Sequence, residues 1–402
     1  MNVEQKKCYQ GIRLSRRVKD LKPSITLEIT AKAKKMRSEG IDIISLSAGE
    51  PDFNTPDLVK EAAKQAIDDN FTRYTPAAGI LELRKGVAEK LKRDNDLEYS
   101  PECISLCSGA KHAIYNVIQV LCDPNDEVLI PAPYWVSYPE MVLLASAKPV
   151  IIPTTESMNF KITPDLLEKY VTKKSKILIL NSPSNPTGMV YSGEELKALS
   201  EFVCKNDLIV ISDEIYEKLI YDGEHVSIAS FHDEIKQRTV VVNGFSKSHA
   251  MTGWRVGYTA ARIEIAQAVN NLLSQSTSNV SSITQKASLA ALLVEESVIQ
   301  NMRDEFLKRR DLIVDRLNNI AGVTCLKPEG AFYVFPNIKN LQRGPSMTVA
   351  NALLDQAEVA VVPGIGFGAD ENIRLSYACS VEDITEGLNR FEAWATPPSY
   401  TT

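Results

Sequence analysis

The strongest constraint on this chain is the recurrence of short apolar or β-branched runs along its middle. Residues 128–130, 177–180, 208–211 and 239–242 are Val-, Ile- and Leu-rich and too short for helices. Runs of this kind suit strands buried on both faces. Helical periodicity is clear over 56–70 and 194–205. The alternation predicts an α/β domain with a mainly parallel sheet. After about residue 295 the rhythm changes. A long charged stretch to 317 reads as a helix, and GAFYVF (330–335) and the run 359–362 read as strands with a helix near 347–356 between them. That pattern predicts a second, smaller α+β unit, ending in a frayed tail, ATPPSYTT.

A chain of 402 residues exceeds what one core ordinarily supports, which agrees with two units. Its 45 basic and 51 acidic residues give a formal charge of -6 with no large block of one sign, so nucleic acid and anionic membranes gain no support as partners. The seven cysteines form no CxxC pair and no metal-ligand spacing with the four histidines, and no metal is expected. Reduced thiols, the lack of an apolar stretch near the roughly 20 residues a bilayer needs, and the polar start MNVEQKKCYQG predict a soluble, cytoplasmic protein.

Each apolar run delivers unusual residues just past its carboxyl end: PAPYW after 128–130, NSPSNPTG after 177–180, SDEIYE after 208–211 and NGFSK after 239–242. Ligands bind at that edge of open parallel sheets, so the motifs converge on one site. Lys247 is the most telling residue there, because a lysine at the mouth of a buried strand is costly unless its nitrogen is used, as in a Schiff base with an aldehyde cofactor. Pyridoxal phosphate asks for such a lysine, a carboxylate at its ring nitrogen and a phosphate cradle. Asp213, read alone, is a helix N-cap; beside Lys247 it is the carboxylate. Gly109 and Ala110, opening the amphipathic stretch 110–122, offer free amides to a phosphate, and Arg255 could add a bidentate contact or make a surface ion pair. Trp135 could stack on a flat ring or simply pack against prolines. Asn185 is either a turn residue or a donor to the ring oxygen, which Tyr216 can also serve. PGIGFG (363–368) has GxGxG rather than GxGxxG spacing and reads as a loop.

These motifs, with SLSAGEPDF (45–53), RYTPAAG (73–79) and NIRLSYA (372–378), resemble the class I aminotransferases of fold type I from about Leu14 to Phe391. Within them the chain is similar to the bacterial aspartate aminotransferase subgroup that often accepts prephenate. The resemblance implies a large domain with a mainly parallel seven-stranded sheet and a smaller α+β domain built from both chain ends, divided as 1–54, 55–294 and 295–402. It implies that Lys247 carries pyridoxal 5'-phosphate, that Asp213 pairs with the ring nitrogen, and that Tyr216 and Asn185 hold the ring oxygen. Trp135 would stack on the ring, and Arg255, Gly109 and Ala110 would bind the phosphate. Tyr74 would reach the phosphate of a neighbouring subunit, making a homodimer. Arg374 would clamp the substrate α-carboxylate beside Gly49. Lys111, with Lys22, Ser24 and Thr26, would recognise the other end of a dicarboxylic substrate, and Thr26 with Lys111 is the pair associated with prephenate use.

The activity implied is transfer of the amino group of aspartate to 2-oxoglutarate, giving oxaloacetate and glutamate, with prephenate as a further acceptor that yields arogenate. Two other readings compete. A C–S β-lyase on the same scaffold would need a leaving-group pocket in place of a carboxylate anchor. A cofactor-binding regulator would have no use for the full Lys247, Asp213 and Arg255 set.

Overall fold

The computed structural model describes residues 14–396, so the polar start, Cys8 and the tail from 397 onward lie outside the described residues. The strands in chain order are β1 (Ile44–Ser45), β2 (Ile104–Cys107), β3 (Glu127–Ala132), β4 (Lys148–Pro153), β5 (Ser175–Asn181), β6 (Ile209–Asp213), β7 (Thr239–Gly244), β8 (Gly257–Ala260), β9 (Tyr333–Val334), β10 (Val359–Ala360), β11 (Val362–Pro363) and β12 (Ile373–Ser376).

A seven-stranded sheet runs in the order β2-β8-β7-β6-β5-β3-β4. All neighbours pair in parallel except those of β8, which is antiparallel to both β2 and β7. The predicted runs are apolar on both faces because helices cover the sheet on each side. On one face Val128, Ile130, Ile177 and Ile179 pack with Ala113, Val117 and Ile118 of the helix Ala110–Leu121. On the other, the alternate residues Leu129, Leu178, Leu180 and Val210 meet Leu196, Leu199 and Val203 of the helix Gly193–Lys205. Ser192 and Glu195 close a capping box at the start of that helix.

The chain leaves β3 for β4 in one direction and β5 for β6 in the other, so β3 and β5 flank a switch point where their loops part. The Trp135 and Asn185 loops open there. β2, β4 and β8 carry no strong sequence signal. β8 is GYTA, and β4 confines its apolar residues between Pro149 and Pro153, which an edge strand tolerates.

The expected second unit is also present. β11, β12 and β9 form an antiparallel sheet, and the helices Glu296–Asn318, Ser346–Gln356 and Val381–Ala395 bury Phe306, Val349 and Phe391 in one core with Phe332, the residue before β9. β1 pairs in parallel with β10, tying the start of the chain to its end. The run 359–362, read as one strand, is two: the chain changes partner at Val361, from β1 to β12. All four residues are fully buried, so apolar patterning cannot reveal the change. PGIGFG is a 3-10 turn, as a loop reading expects. Among the described residues no helix is long and apolar enough to cross a membrane.

Candidate active site

The carboxyl ends of β3, β5, β6 and β7 and the first residues of the second unit enclose a cleft of about 460 Å³. Its floor is Asp213, the last residue of β6, 4% exposed. Tyr138 donates its hydroxyl to Oδ2 at 2.6 Å, and the Ile215 amide reaches Oδ1 at 3.4 Å. Burial outweighs these bonds and pushes the carboxyl pKa up to about 6. A positive partner in the cleft would restore the charged form.

Lys247 follows β7 and reaches across to donate to the Gly49 carbonyl at 2.5 Å. Enclosure in the cleft draws its pKa down to about 8, against the pull of Glu50. An amine so placed can exist neutral near physiological pH, as a nucleophile or a base must. Tyr216, buried at the same edge, shares a 3.0 Å hydroxyl contact with Tyr333.

Gly109 takes φ 92° as the N-cap of the helix Ala110–Leu121 and caps it with no side chain, leaving the first amides free for an anion. A Cβ there would come within 2.5 Å of the Arg255 guanidinium, so only glycine lets the two approach. Arg255 is exposed, and its own bonds go to the carbonyls of Thr252 at 2.9 Å and Ser108 at 3.2 Å. Cation and free amides together make an anion cradle.

Arg374, on β12 and 3% exposed, spans the cleft from the second unit. It donates to Asn185 Oδ1 and to the Ser47 carbonyl, both at 3.0 Å, and its Nε has no partner. Burial lowers its pKa. A buried guanidinium with no carboxylate bonded to it is a receptor for one. On the same cleft wall Lys111 Nζ lies 4.9 Å from the centroid of the Trp135 ring, which in turn meets Tyr138 edge-on. Solvent reaches the Lys111 side chain, yet partial enclosure and the nearby Arg255 lower its pKa.

Thus the cleft gathers Lys247, Asp213, Tyr216, Asn185, Arg374 and Trp135, with Gly49, Ala110, Lys111, Arg255 and Thr26 completing its wall. Gly109 stands behind Arg255 rather than on the wall. Lys22 and Ser24 are not on it either: the Lys22 amide bonds Glu140 at 3.1 Å, and the Ser24 hydroxyl sits 2.9 Å from that of Thr26. Tyr74 is 90% exposed and lies outside the cleft of its own chain. Tyr138 and Tyr333 were not singled out by sequence. Tyr138 lies three residues beyond Trp135, and Tyr333 interrupts an apolar strand with a hydroxyl, which are the signals each offers.

The family model for aminotransferase class I and II matches residues 41–391. The chain belongs to the class I and II aminotransferases. The aspartate aminotransferase of Bacillus subtilis is 49% identical over 386 residues, covering 95% of this chain and 98% of its own. The aspartate/prephenate aminotransferase of Nitrosomonas europaea is 44% identical, with 94% and 98% covered. Among solved structures, Thermus thermophilus aspartate aminotransferase with maleate superposes at a TM-score of 0.92 with 42% identity, covering 95% of this chain and 99% of that one. This aminotransferase therefore shares fold type I with them, and its cleft lies where its seven-stranded sheet presents its strand ends.

Proposed function

We propose that this aminotransferase uses pyridoxal 5'-phosphate to move the amino group of L-aspartate to 2-oxoglutarate, producing oxaloacetate and L-glutamate. The observation that carries this reading is that two cations without a carboxylate partner, Arg374 buried with a free Nε and Lys111 beside Trp135, line the same cleft as the Lys247 amine. Two anion receptors and one amine in a single cleft suit a dicarboxylic amino acid and its 2-oxo acid. They do not suit a lyase, whose substrate needs room for a leaving group.

The residues present fit the cofactor. Asp213 would hold its ring nitrogen, Tyr216 and Asn185 its ring oxygen, Trp135 its face, and Arg255 with the amides after Gly109 its phosphate. When bound, the cofactor supplies an electron sink for the charge left as a proton departs from the substrate Cα. The chain does the rest. Arg374 binds and orients the α-carboxylate, so that the Cα proton faces Lys247. The Lys247 amine takes that proton from Cα as a base and can give it up again as an acid. Asp213, dry and held by Tyr138, keeps a negative charge where a ring cation needs it. Gly49, whose carbonyl accepts from Lys247, holds the amine over the cleft.

Thr26 and Lys111 share the cleft wall, which supports prephenate as a second acceptor, giving arogenate. The exposure of Tyr74 together with Leu58, Ile67 and Leu81 supports a homodimer in which Tyr74 reaches the neighbour's phosphate cradle. The pairing of β1 with β10 supports a division at 54 and 294, and the six free cysteines among the described residues support work in the cytoplasm.

A panel of amino donors and oxo acceptors, prephenate included, tests the assignment on wild type and Lys111→Ala. Aspartate with 2-oxoglutarate is expected to lead in wild type, and the substitution to raise KM for dicarboxylic substrates about tenfold over that for monocarboxylic ones. Equal losses for both classes would remove Lys111 from substrate recognition.

A further inference from the structure

One fully buried residue touches both halves of the cleft and has no part in the scheme above. Tyr333, on β9, is 1% exposed. Its hydroxyl lies 3.0 Å from that of Tyr216, at the end of the large sheet, and its ring carries the Arg374 guanidinium 4.4 Å from its centroid. The ring planes of Tyr216 and Tyr333 meet at 81° with centroids 5.9 Å apart, so the contact is made at the hydroxyl tips. The Tyr333 hydroxyl also stands in ordinary van der Waals range of Gly49, where a Cβ would lie 3.5 Å away.

We propose that Tyr333 is a positioning residue that joins the cofactor's ring-oxygen donor, Tyr216, to the carboxylate clamp, Arg374, so that the two act as one unit. This rests on the proposed function of the cleft. The reasoning is one of proton direction. Either hydroxyl of the pair can donate. An anionic oxygen in front of Tyr216 settles the choice, because Tyr216 then gives its proton outward and only Tyr333 can donate to the Tyr216 oxygen. A phenol that accepts one hydrogen bond donates a stronger one. The same ring sits against Arg374, so the hydroxyl and the π face serve two ligands from one rigid strand. The titratable groups that act on Tyr333 are Arg374, Tyr216 and Glu50.

The two functions separate by substitution. Tyr333→Phe keeps the ring and loses the hydroxyl, and is expected to raise the pH midpoint of the bound cofactor's absorbance change by about 0.5 unit. It should lower kcat about tenfold, as loss of one buried hydrogen bond implies, with KM for aspartate and the dissociation constant for maleate within about twofold of wild type. Tyr333→Leu removes the face as well and is expected to weaken maleate binding, read by calorimetry on the cofactor-loaded protein, by about tenfold. A Tyr333→Phe protein with an unmoved absorbance midpoint, whatever its melting temperature, would overturn the relay. A Tyr333→Leu protein that binds maleate as tightly as wild type would overturn the coupling to Arg374. Should wild type fail to transaminate aspartate, the proposed function falls, while the absorbance and maleate measurements still judge Tyr333.

Discussion

The segment from Asp213 to Glu217 feeds two charged clusters with opposite habits. Asp213 and Tyr216 face the cleft, while Glu214 and Glu217 turn into a packed network on the far side. There Glu217 bonds Lys90 and accepts from Asn95 at 2.8 Å, and Glu214 accepts from Ser212 at 2.8 Å and Ser227 at 2.6 Å and meets His225 at 3.0 Å. Ligand atoms of Glu214, Glu217 and His225 lie within 4.8 Å of one another, a donor set that could suit a metal, but the Lys90 ammonium already supplies positive charge there. In the cleft the balance is reversed. Lys247 has only a carbonyl, Arg374 keeps Nε without a partner, and Arg255 bonds carbonyls alone. Among the described residues His225 Nδ1 is the one buried side-chain atom of the network left without a partner, but each of its charges meets an opposite one. Buried charge met by counter-charge serves the fold; buried charge left short of it is held for a ligand.

Two matched substitutions break or sharpen that contrast. The larger effect belongs to the cleft. Lys247→Met, which preserves length and volume, is expected to lower turnover by about 10⁴-fold or more, since both the nucleophile and the proton carrier are lost. Its cofactor-free form should melt no lower than wild type, because an ammonium whose pKa is drawn down to about 8 from 10.5 costs stability at neutral pH. Steady-state rates and calorimetric melting on the same preparations read both. A clear fall in melting temperature would mean that Lys247 also holds the fold.

Lys90→Met supplies the mirror image. It strands the Glu217 carboxylate, whose side chain is 7% exposed, and should cost about 3 kcal/mol of unfolding free energy. Because Lys90 lies outside the cleft, the folded fraction should keep most of its turnover. Urea unfolding followed by fluorescence, alongside specific activity at low temperature, distinguishes the two outcomes. Loss of activity without loss of stability would erase the distinction between the clusters.

The contrast also marks what sequence could and could not reveal. Every residue of SDEIYE is visible, and strand logic places the motif at the sheet edge, yet the letters do not say which acids face the ligand. Asp213 and Tyr216 acquired roles from what a cofactor tethered at Lys247 would need, whereas Glu214 and Glu217 had none, because their partners Lys90, Asn95 and His225 come from distant segments. The central sheet was legible where strands are continuously apolar. It was not where β8 is short and glycine-led or where β4 takes edge prolines, and the split at Val361 depends on partners rather than pattern. Lys22 and Ser24 followed from likeness of segment alone; in the structure only Thr26 of that segment's candidates reaches the cleft wall.

The smallest effect expected is also the most specific to the paired cluster. Burial by itself would raise the Glu217 pKa, but Lys90, His225 and the hydrogen bonds from Lys90 and Asn95 outweigh it and hold the carboxyl at about 2, below the ordinary 4.5. A folded pKa below the unfolded one means that the unfolded chain binds more protons between those values. The stabilisation is therefore complete above about pH 4.5 and drains away as pH falls toward 2, amounting to no more than about 3 kcal/mol. His225 works in the opposite sense. Burial opposes its protonation, but Glu214 and Glu217 raise its pKa, so its contribution is complete below about 6.5 and fades as pH rises through the folded value. Urea midpoints of wild type and Glu217→Gln, measured from pH 6 down to pH 3, should therefore converge over the lower part of that range. A gap between the two proteins that stays constant with pH would show that the Glu217 charge contributes nothing, and the network would then owe its order to packing rather than to ion pairing.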